Sequence, residues 1–214
     1  MTQPLLSVRD ARIGYGSELV INGLDLSVAR GEVVAVTGSN GSGKSTLLRG
    51  LAGFQPLRCA SFEIDGIPAP PDTELHRDTT YAVMDEWMWL RGMTVRDHFE
   101  VFHEDDSLAD PHTALEEFGV LDLADRMPHS LSSGQLRRVT LASLLVRPWQ
   151  ILFIDEPEQR LDEEYQGILA GVLNRYLGQR AAVIATHASY LLGSAVTQVL
   201  HLDSLTSGSD SRQA

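Results

Sequence analysis

The sequence predicts an α/β fold: a parallel-sheet core with an N-terminal antiparallel β subdomain and an inserted helical subdomain. Three observations predict this arrangement. The chain begins with two runs of alternating apolar and polar residues, which is the pattern of half-buried strands. An apolar, β-branched run then leads through a Gly/Ser loop into a helical pattern. After a helix-rich stretch, strand and helix patterns alternate again, which indicates parallel β/α units.

The N-terminal half is expected to hold four strands and one helix. The strands fall at residues 6–13, 19–28, 32–37 and 61–67, and the helix falls at 44–52. The second half is expected to begin with helices and to end in β/α units. Helices fall at 95–103, 113–119, 134–147 and 163–177, a short helix lies near Tyr190, and strands fall at 150–154, 181–185 and 198–202. We predict one domain over residues 1–203, with a helical subdomain at about 87–146 and a polar, disordered tail at 204–214.

Composition and charge exclude several classes of protein. The 17 basic and 29 acidic residues give a net charge of -12, so the surface should repel nucleic-acid phosphates. The single cysteine, Cys59, cannot form an internal disulfide, and the first residues lack the basic start and apolar run of a secretion signal. No apolar run approaches the roughly 20 residues that cross a bilayer. We therefore expect a cytoplasmic protein that reaches a membrane only through a partner.

The Gly/Ser loop satisfies the pattern of a phosphate-binding loop between a strand and a helix. It reads Gly38-Ser39-Asn40-Gly41-Ser42-Gly43-Lys44-Ser45, and Thr46 follows in the helix; we assign all nine residues to a nucleotide. Glycines let backbone N–H groups surround a phosphate, Lys44 reaches the β- and γ-phosphates, and the Ser45 hydroxyl binds Mg²⁺. Lys44 is also the only lysine among the 17 basic residues, which indicates a position where arginine cannot replace it. The alternative is a glycine-rich turn without a ligand.

Two carboxylates follow the apolar strand at residues 150–154. In an open parallel sheet, such a strand end lies at the edge where ligands collect. In enzymes with a phosphate-binding loop, the first carboxylate, Asp155, holds Mg²⁺ and the second, Glu156, can polarise the attacking water. An acidic pair at a strand end could also be a solvated turn, but the loop upstream favours the catalytic interpretation. Together the two motifs predict an ATPase whose ligands are ATP and Mg²⁺.

A third motif, Leu131-Ser132-Ser133-Gly134-Gln135, stands at the start of the predicted helix before that strand. It resembles the signature of the ATP-binding cassette (ABC) ATPases, with Ser133 where the family most often has glycine. The N–H groups and dipole of a helix start suit a γ-phosphate. Taken alone, Ser132 could be an ordinary helix N-cap. The resemblance covers nearly the whole chain, and it implies a P-loop NTPase (RecA-like) fold in which Ser132, Ser133, Gly134 and Gln135 bind ATP.

The resemblance also implies two further site residues and a dimer. Tyr15, which precedes Gly16, matches the aromatic residue on which the family stacks adenine, although a tyrosine could simply close a strand. His187 ends a late strand and matches the switch histidine that contacts the γ-phosphate, although a lone histidine could be structural. Family members form head-to-tail homodimers or heterodimers, in which the loop of one subunit and the signature helix of the other enclose the same ATP.

Two segments depart from the family pattern. Asp85 falls where the family has a glutamine that meets Mg²⁺ and the attacking water, so the resemblance places it in the catalytic and metal site. A shift of the alignment by one residue would put Glu86 there instead, which is also a carboxylate. The negative charge predicts slow basal hydrolysis. Gln159 and Arg160 replace small residues; Arg160 could reach the partner subunit's nucleotide or pair with nearby acids.

The segment Trp87-Met88-Trp89-Leu90 could receive the membrane subunit or lie in the core of the helical subdomain.

These observations favour an ATP-hydrolysing subunit of an ABC transporter, which dimerises around ATP and drives a separate transmembrane subunit from the inner face of the cell membrane. One alternative is a soluble, non-transport ABC ATPase of DNA repair or the ribosome. Such relatives carry coiled-coil insertions or two linked cassettes, which this sequence does not show, and its acidity argues against nucleic acid. Another alternative is a weakly hydrolysing regulatory cassette, which Asp85 favours and Glu156 with His187 oppose.

Overall fold

Ten strands and six α-helices are seen in the described parts of the chain. The computed structural model describes residues 3–84, 89–159, 161–187 and 195–202. The strands are β1 (Leu6–Tyr15), β2 (Glu18–Val28), β3 (Val33–Thr37), β4 (Leu57–Arg58), β5 (Ser61–Ile64), β6 (Ile67–Pro68), β7 (Thr80–Val83), β8 (Ile151–Asp155), β9 (Ala181–Ala185) and β10 (Gln198–His201). The α-helices are α1 (Lys44–Leu51), α2 (Glu74–Thr79), α3 (Val95–Phe102), α4 (Pro111–Glu117), α5 (Ser133–Ala142) and α6 (Glu163–Tyr176). Short 3₁₀ helices lie at Leu121–Leu123, Pro128–Ser130 and Ser143–Leu145.

The first sheet is antiparallel, with the strand order β2-β1-β5-β6 and β4 pairing on β1. β1 and β2 pair from Leu6 opposite Val28 to Tyr15 opposite Glu18, so a two-residue turn connects them. Buried and more exposed residues largely alternate along both strands, as the period-two pattern predicts. The predicted N-terminal strands are thereby confirmed. The hairpin places Tyr15 at the end of β1, beside the turn.

The second sheet has the order β10-β3-β9-β8-β7, and every neighbouring pair is parallel. All residues of β3, β8 and β9 are buried, as expected of strands covered on both faces. Their carboxyl ends meet at one edge, where the last strand residues are Thr37, Asp155 and Ala185. Because parallel strands all point the same way, this edge collects the residues that follow each strand.

Side chains of the parallel sheet alternate between two hydrophobic clusters, one on each face. In β8, Ile151 and Phe153 join the cluster formed with α1 and the antiparallel sheet, whereas Leu152 and Ile154 join the cluster formed with α3 to α6. All four side chains are fully buried. Burial of a large apolar side chain contributes about 1.5–3 kcal/mol. Packing on both faces therefore holds the strand whose end carries the two carboxylates.

A buried histidine of α2 fixes the C-terminal end of α1. His76 is 2% exposed, and its Nε2 lies 2.8 Å from the carbonyl oxygen of Leu51. A carbonyl oxygen can only accept, so Nε2 carries the proton. Burial lowers the pKa of His76, which favours the neutral ring. The helix that begins at the Gly/Ser loop is thereby anchored at its other end.

Two predicted elements differ from the structure. The strand predicted at 61–67 is a hairpin of β5 and β6, because Asp65 and Gly66 both adopt positive φ, at 52° and 74°, and turn the chain. The helix predicted at 134–147 ends as α5 and continues as a 3₁₀ helix. At this point the Ser143 hydroxyl donates to the Thr140 carbonyl at 2.6 Å and so competes with the regular helical pattern.

Some elements carry too few residues for a sequence pattern to predict them. The strands β4 and β7 and the helix α2 have two to six residues each, which is less than two helical turns or one clear alternation. The helices α3, α4 and α5 lie within the stretch predicted to be helical. The short helix expected near Tyr190 and the tail at 204–214 lie outside the described residues, and the domain bounds stay predictions. Among the residues that can be described, no helix is long and apolar enough to cross a bilayer.

Trp149 should be a main support of the cluster between the parallel sheet and the helices. Its side chain is 3% exposed, and Nε1 donates to the Leu144 carbonyl at 2.7 Å. Trp149→Ala should lower the free energy of unfolding by about 3–5 kcal/mol, because it leaves a cavity. Trp149→Phe loses mainly the hydrogen bond and should cost about 1–3 kcal/mol.

Urea denaturation measures these free energies. Val101→Ala is the control, because this side chain is 61% exposed, and it should change the stability by less than about 0.5 kcal/mol. Equal losses in all three variants would contradict the assignment of Trp149 to the core.

Candidate functional site

The Gly/Ser loop joins β3 to α1 in a conformation that requires glycine. Gly41 and Gly43 have φ values of 83° and 98°, in the left-handed region. A Cβ atom on Gly43 would lie 2.7 Å from Cγ1 of Val20, which is too close for any larger residue. No side chain caps α1, and its first turn holds no acidic residue. The positive end of this helix therefore faces the loop without a negative charge from its own first turn.

Lys44 is the buried cation of the site. Its side chain is 4% exposed, and Nζ donates to the carbonyl oxygens of Gly38 and Ser39, both at 3.0 Å. These two bonds use two of the three ammonium N–H groups and tie the start of the loop to the start of α1. Lys44 is the first residue of α1, and its contact with the β- and γ-phosphates stays a prediction.

A pocket of about 270 Å³ opens in front of the loop. It is lined by Tyr15, Val20, Asn40, Gly41, Gly43, Lys44, Ser45, Thr46 and Glu156. Tyr15 is 58% exposed, which leaves its aromatic side chain accessible to a flat ligand. Seven of the predicted nucleotide residues and one predicted catalytic residue thus line one cavity.

Ser45 and Asp155 bring two oxygen atoms together beside the loop. The Ser45 hydroxyl donates to Asp155 Oδ1 at 3.1 Å, and Asp155 is 5% exposed. A hydroxyl and a carboxylate are hard oxygen ligands, which is the donor set that Mg²⁺ prefers. In the described ranges, no group of three or more His, Cys, Asp or Glu side chains is arranged so that it could hold a metal ion by itself. The pair therefore fits a Mg²⁺ ion that takes its other ligands from phosphate and water.

Glu156 and His187 form a second pair at the same edge. His187 Nε2 lies 3.1 Å from Glu156 Oε1, and the two side chains are 40% and 17% exposed. An ionised carboxylate only accepts, so Nε2 carries the proton in this contact. β8 and β9 are neighbours, which is why residues 31 positions apart meet. Two of the three predicted catalytic residues are thereby in contact, and the third, Asp85, lies outside the described residues.

Two residues that the sequence patterns do not single out also reach the edge. Glu158 Oε1 accepts from the Thr186 hydroxyl and from the His187 N–H, both at 2.7 Å. Arg137 of α5 donates to the carbonyl oxygens of Asp155 and Glu156. Helical periodicity could have identified Arg137, because it places this charged residue on the buried face of α5. No neighbouring residues in the sequence indicate the contacts of Glu158, because its partners follow β9.

The predicted signature residues lie apart from the pocket in the same chain. Ser132 and Gln135 form a capping box: the Gln135 N–H donates to Ser132 Oγ at 3.2 Å, and the Ser132 N–H donates to Gln135 Oε1 at 3.0 Å. Ser132 and Ser133 are exposed, and Gly134 is partly buried. None of these four residues lines the pocket. Their role toward ATP therefore stays a prediction, and Ser132 is an N-cap in either case.

Several expectations concern residues that cannot be described. Asp85, Arg160, Trp87 and Met88 lie outside the described residues. Trp89 is described, and it packs against the hydrophobic cluster of the helices, with its ring edge-on to His98 at 5.0 Å between ring centroids. For Trp89, this contact favours the core interpretation over a docking surface.

Comparisons with known proteins point to one family. Residues 21–159 match the family described as ABC transporter. The chain is 35% identical to the cytochrome c biogenesis ATP-binding export protein CcmA of Paracoccus denitrificans, over 92% of this chain and 89% of that protein. It is 33% identical to the aliphatic sulfonates import ATP-binding protein SsuB of Corynebacterium glutamicum, over 94% of this chain and 86% of that protein.

Solved structures share the fold. An ATP binding subunit of an ABC transporter matches with a TM-score of 0.79 at 24% identity, over 92% of this chain and 85% of that chain. A bacterial Atm1-family ABC exporter with ATP bound matches with a TM-score of 0.82 at 23% identity, over 95% of this chain and 38% of that chain. The predicted P-loop fold, with its parallel core and antiparallel subdomain, is thereby confirmed. By its fold and by the sequence matches over most of its length, the chain belongs to the family of ABC transporter ATP-binding proteins.

Proposed function

We propose that the chain hydrolyses ATP in the pocket in front of the Gly/Ser loop and that, as a dimer, it drives a separate transmembrane subunit. The observation that carries the proposal is the meeting of three features at one sheet edge. They are the buried Lys44, the Ser45–Asp155 pair and the Glu156–His187 pair. These supply a phosphate site, a metal site and a base with its orienting partner, which are the parts that phosphoryl transfer to water needs.

The proposed reaction uses each feature once. Backbone N–H groups of the loop and the Lys44 ammonium hold the β- and γ-phosphates. Ser45 and Asp155 would hold Mg²⁺, whose positive charge would offset the charge of these phosphates. Glu156 accepts a proton from a water molecule that attacks the γ-phosphorus, and His187 orients the carboxylate. The bond from the γ-phosphorus to the bridging oxygen breaks, and ADP and phosphate leave.

Two exposed surfaces complete the nucleotide site in this proposal. The open face of Tyr15 stacks against adenine at one end of the pocket. The other surface is the start of α5 in a second cassette, identical or different. It must come from a second cassette because Ser132 and Gln135 do not line the pocket of their own chain. The capping box uses the N–H groups of Ser132 and Gln135, and the residues between them, Ser133 and Gly134, are those we propose to face the γ-phosphate.

Coupling to a membrane protein is proposed from the relatives. CcmA is named an export protein and SsuB an import protein, and both are named ATP-binding. Because relatives of both transport directions share this fold, we propose that another subunit, and not this chain, selects the transported substrate. The net charge of -12 argues against nucleic acid as the partner. We therefore place the chain on the inner face of the cell membrane, held there by a transmembrane subunit.

Lys44→Ala should weaken ATP binding by roughly 10- to 100-fold, because it removes the buried charge that faces the phosphates. Lys44→Arg should also weaken binding, since a guanidinium is larger and planar in a position that is 4% exposed. Equilibrium binding of a fluorescent ATP analogue measures both. Arg49→Ala removes an exposed cation of the same helix and should leave the affinity unchanged. Parental affinity in Lys44→Ala would refute the phosphate site.

Glu156→Gln should bind ATP with parental affinity and lower hydrolysis by about 10²–10⁴-fold, because an amide cannot accept the proton. Stalled hydrolysis should also accumulate an ATP-bound dimer, which size-exclusion chromatography with light scattering detects. Adding Ser132→Arg to this variant should restore the monomer, because it blocks the proposed contact of α5 with the second nucleotide. Parental turnover in Glu156→Gln would show that Glu156 is not the base.

Purification of the tagged chain from detergent-solubilised membranes of its own host should yield a polytopic membrane protein in a fixed ratio to the chain. Mass spectrometry identifies the partner, and the same tag on an unrelated cytoplasmic protein is the control. Recovery of the chain from the soluble fraction alone, without a membrane protein, would leave an ATPase that does not serve a transporter.

A further inference from the structure

The backbone at Glu156 adopts an unusual conformation for a residue with a side chain. Its φ is 43°, in the left-handed region that such residues rarely occupy. A conformation of this kind persists where surrounding contacts impose it. The Glu156 N–H donates to the Ala185 carbonyl at 2.8 Å, and the Glu156 carbonyl accepts from the Gln159 N–H at 3.1 Å. The same carbonyl also accepts from Arg137 Nη2 at 3.0 Å.

Arg137 joins three elements through one guanidinium. It lies on α5 and is 6% exposed. Nη2 donates to the Asp155 carbonyl at 2.5 Å as well as to that of Glu156, and Nη1 donates to the Met84 carbonyl at 3.3 Å. The ends of β7 and β8 are thus tied to α5. The carbonyl dipoles help to compensate the charge of this buried guanidinium, whose planar set of donors reaches several of them together.

We infer that Arg137 is a positioning residue for ATP hydrolysis: it holds the backbone of Glu156 so that the carboxylate stays aimed at the attacking water. The inference rests on the proposed function, because it requires Glu156 to be the base. The carboxylate and the carbonyl that Arg137 contacts belong to the same residue, Glu156, so a shift of this carbonyl also moves the carboxylate. A misplacement of about 1 Å can cost on the order of 100-fold in rate.

The same contact connects the base to the start of α5. Arg137 lies within one helical turn of Ser133 and Gly134, the residues proposed to face the nucleotide of a second cassette. A rigid helix moves as a unit, so a displacement of its first turn also moves the guanidinium. The position of Glu156 therefore depends on the position of α5, and turnover should be sensitive to both.

Arg137→Met tests the inference because it keeps an unbranched apolar stem and removes every donor. It should lower kcat by roughly 10- to 100-fold and leave ATP binding unchanged, since no loop residue is altered. Arg137→Lys keeps the charge and can still donate to one or two carbonyls, so it should recover part of kcat. Steady-state phosphate release gives kcat and KM, and binding of a fluorescent ATP analogue gives the affinity.

Arg180→Met is the matched control at the opposite edge of the same sheet. Arg180 is partly buried and also donates to two carbonyls, those of Trp149 at 2.9 Å and Tyr176 at 3.0 Å. Its loss should lower the thermal unfolding temperature as the loss of Arg137 does, but it should leave kcat at the parental value. A role in stability alone would affect the two variants in the same way.

The outcomes separate the two claims. Parental kcat in Arg137→Met, an equal fall of kcat in Arg180→Met, or loss of ATP binding in Arg137→Met would each overturn the inference. If Arg137→Met does not fold, Arg137→Lys decides: parental kcat overturns the inference, and a lowered kcat with parental ATP affinity supports it. A parent chain that binds ATP without hydrolysing it would refute the proposed function and the inference with it.

Discussion

The buried ammonium of Lys44 is the contact on which the rest of the site depends. A charge that is 4% exposed must be compensated, and here the carbonyl oxygens of Gly38 and Ser39 compensate it. Those two bonds tie the start of the loop to the first residue of α1, and the next residue, Ser45, lies beside Asp155. Gly43 meets a separate constraint, since a Cβ atom there would lie 2.7 Å from Cγ1 of Val20. The buried charge thus connects the loop, the helix start and the proposed metal site.

The parallel sheet supplies the second half of the site through its geometry. β9 lies between β3 and β8, so the residues after three strands reach one edge. Asp155 is the last residue of β8, and His187 lies two residues after the end of β9. Clusters on both faces bury β8 completely, which allows little movement of its end. The Glu156 backbone is held on one side by the Ala185 carbonyl and on the other by Arg137, so β9 and α5 together position the residue that we propose as the base.

Sequence reasoning predicted the parts of the site that local patterns encode. The loop and the two carboxylates at the end of β8 are local patterns next to a strand, whereas the role of His187 came from the resemblance to the family; the structure puts all of them at one edge. Short elements such as β7 could not be predicted, because a few residues show no period. The contact of Arg137 with Glu156 joins helix and strand across 19 positions, and that of Glu158 with His187 joins positions 29 apart; both depend on packing. The sequence pattern places Asp65-Gly66 at the end of a single strand, because the strand β6 that follows this pair has only two residues and shows no alternation of its own.

A crystal structure of the chain with Mg²⁺ and a non-hydrolysable ATP analogue tests the central claim most directly. The account predicts that the β- and γ-phosphates lie in the loop within hydrogen-bond distance of Lys44, with Mg²⁺ against the oxygens of Ser45 and Asp155 and adenine on the ring of Tyr15. It also predicts that the start of α5 from a second cassette closes the site over the γ-phosphate. A nucleotide bound away from the loop, or phosphates that do not contact Lys44, would contradict the account.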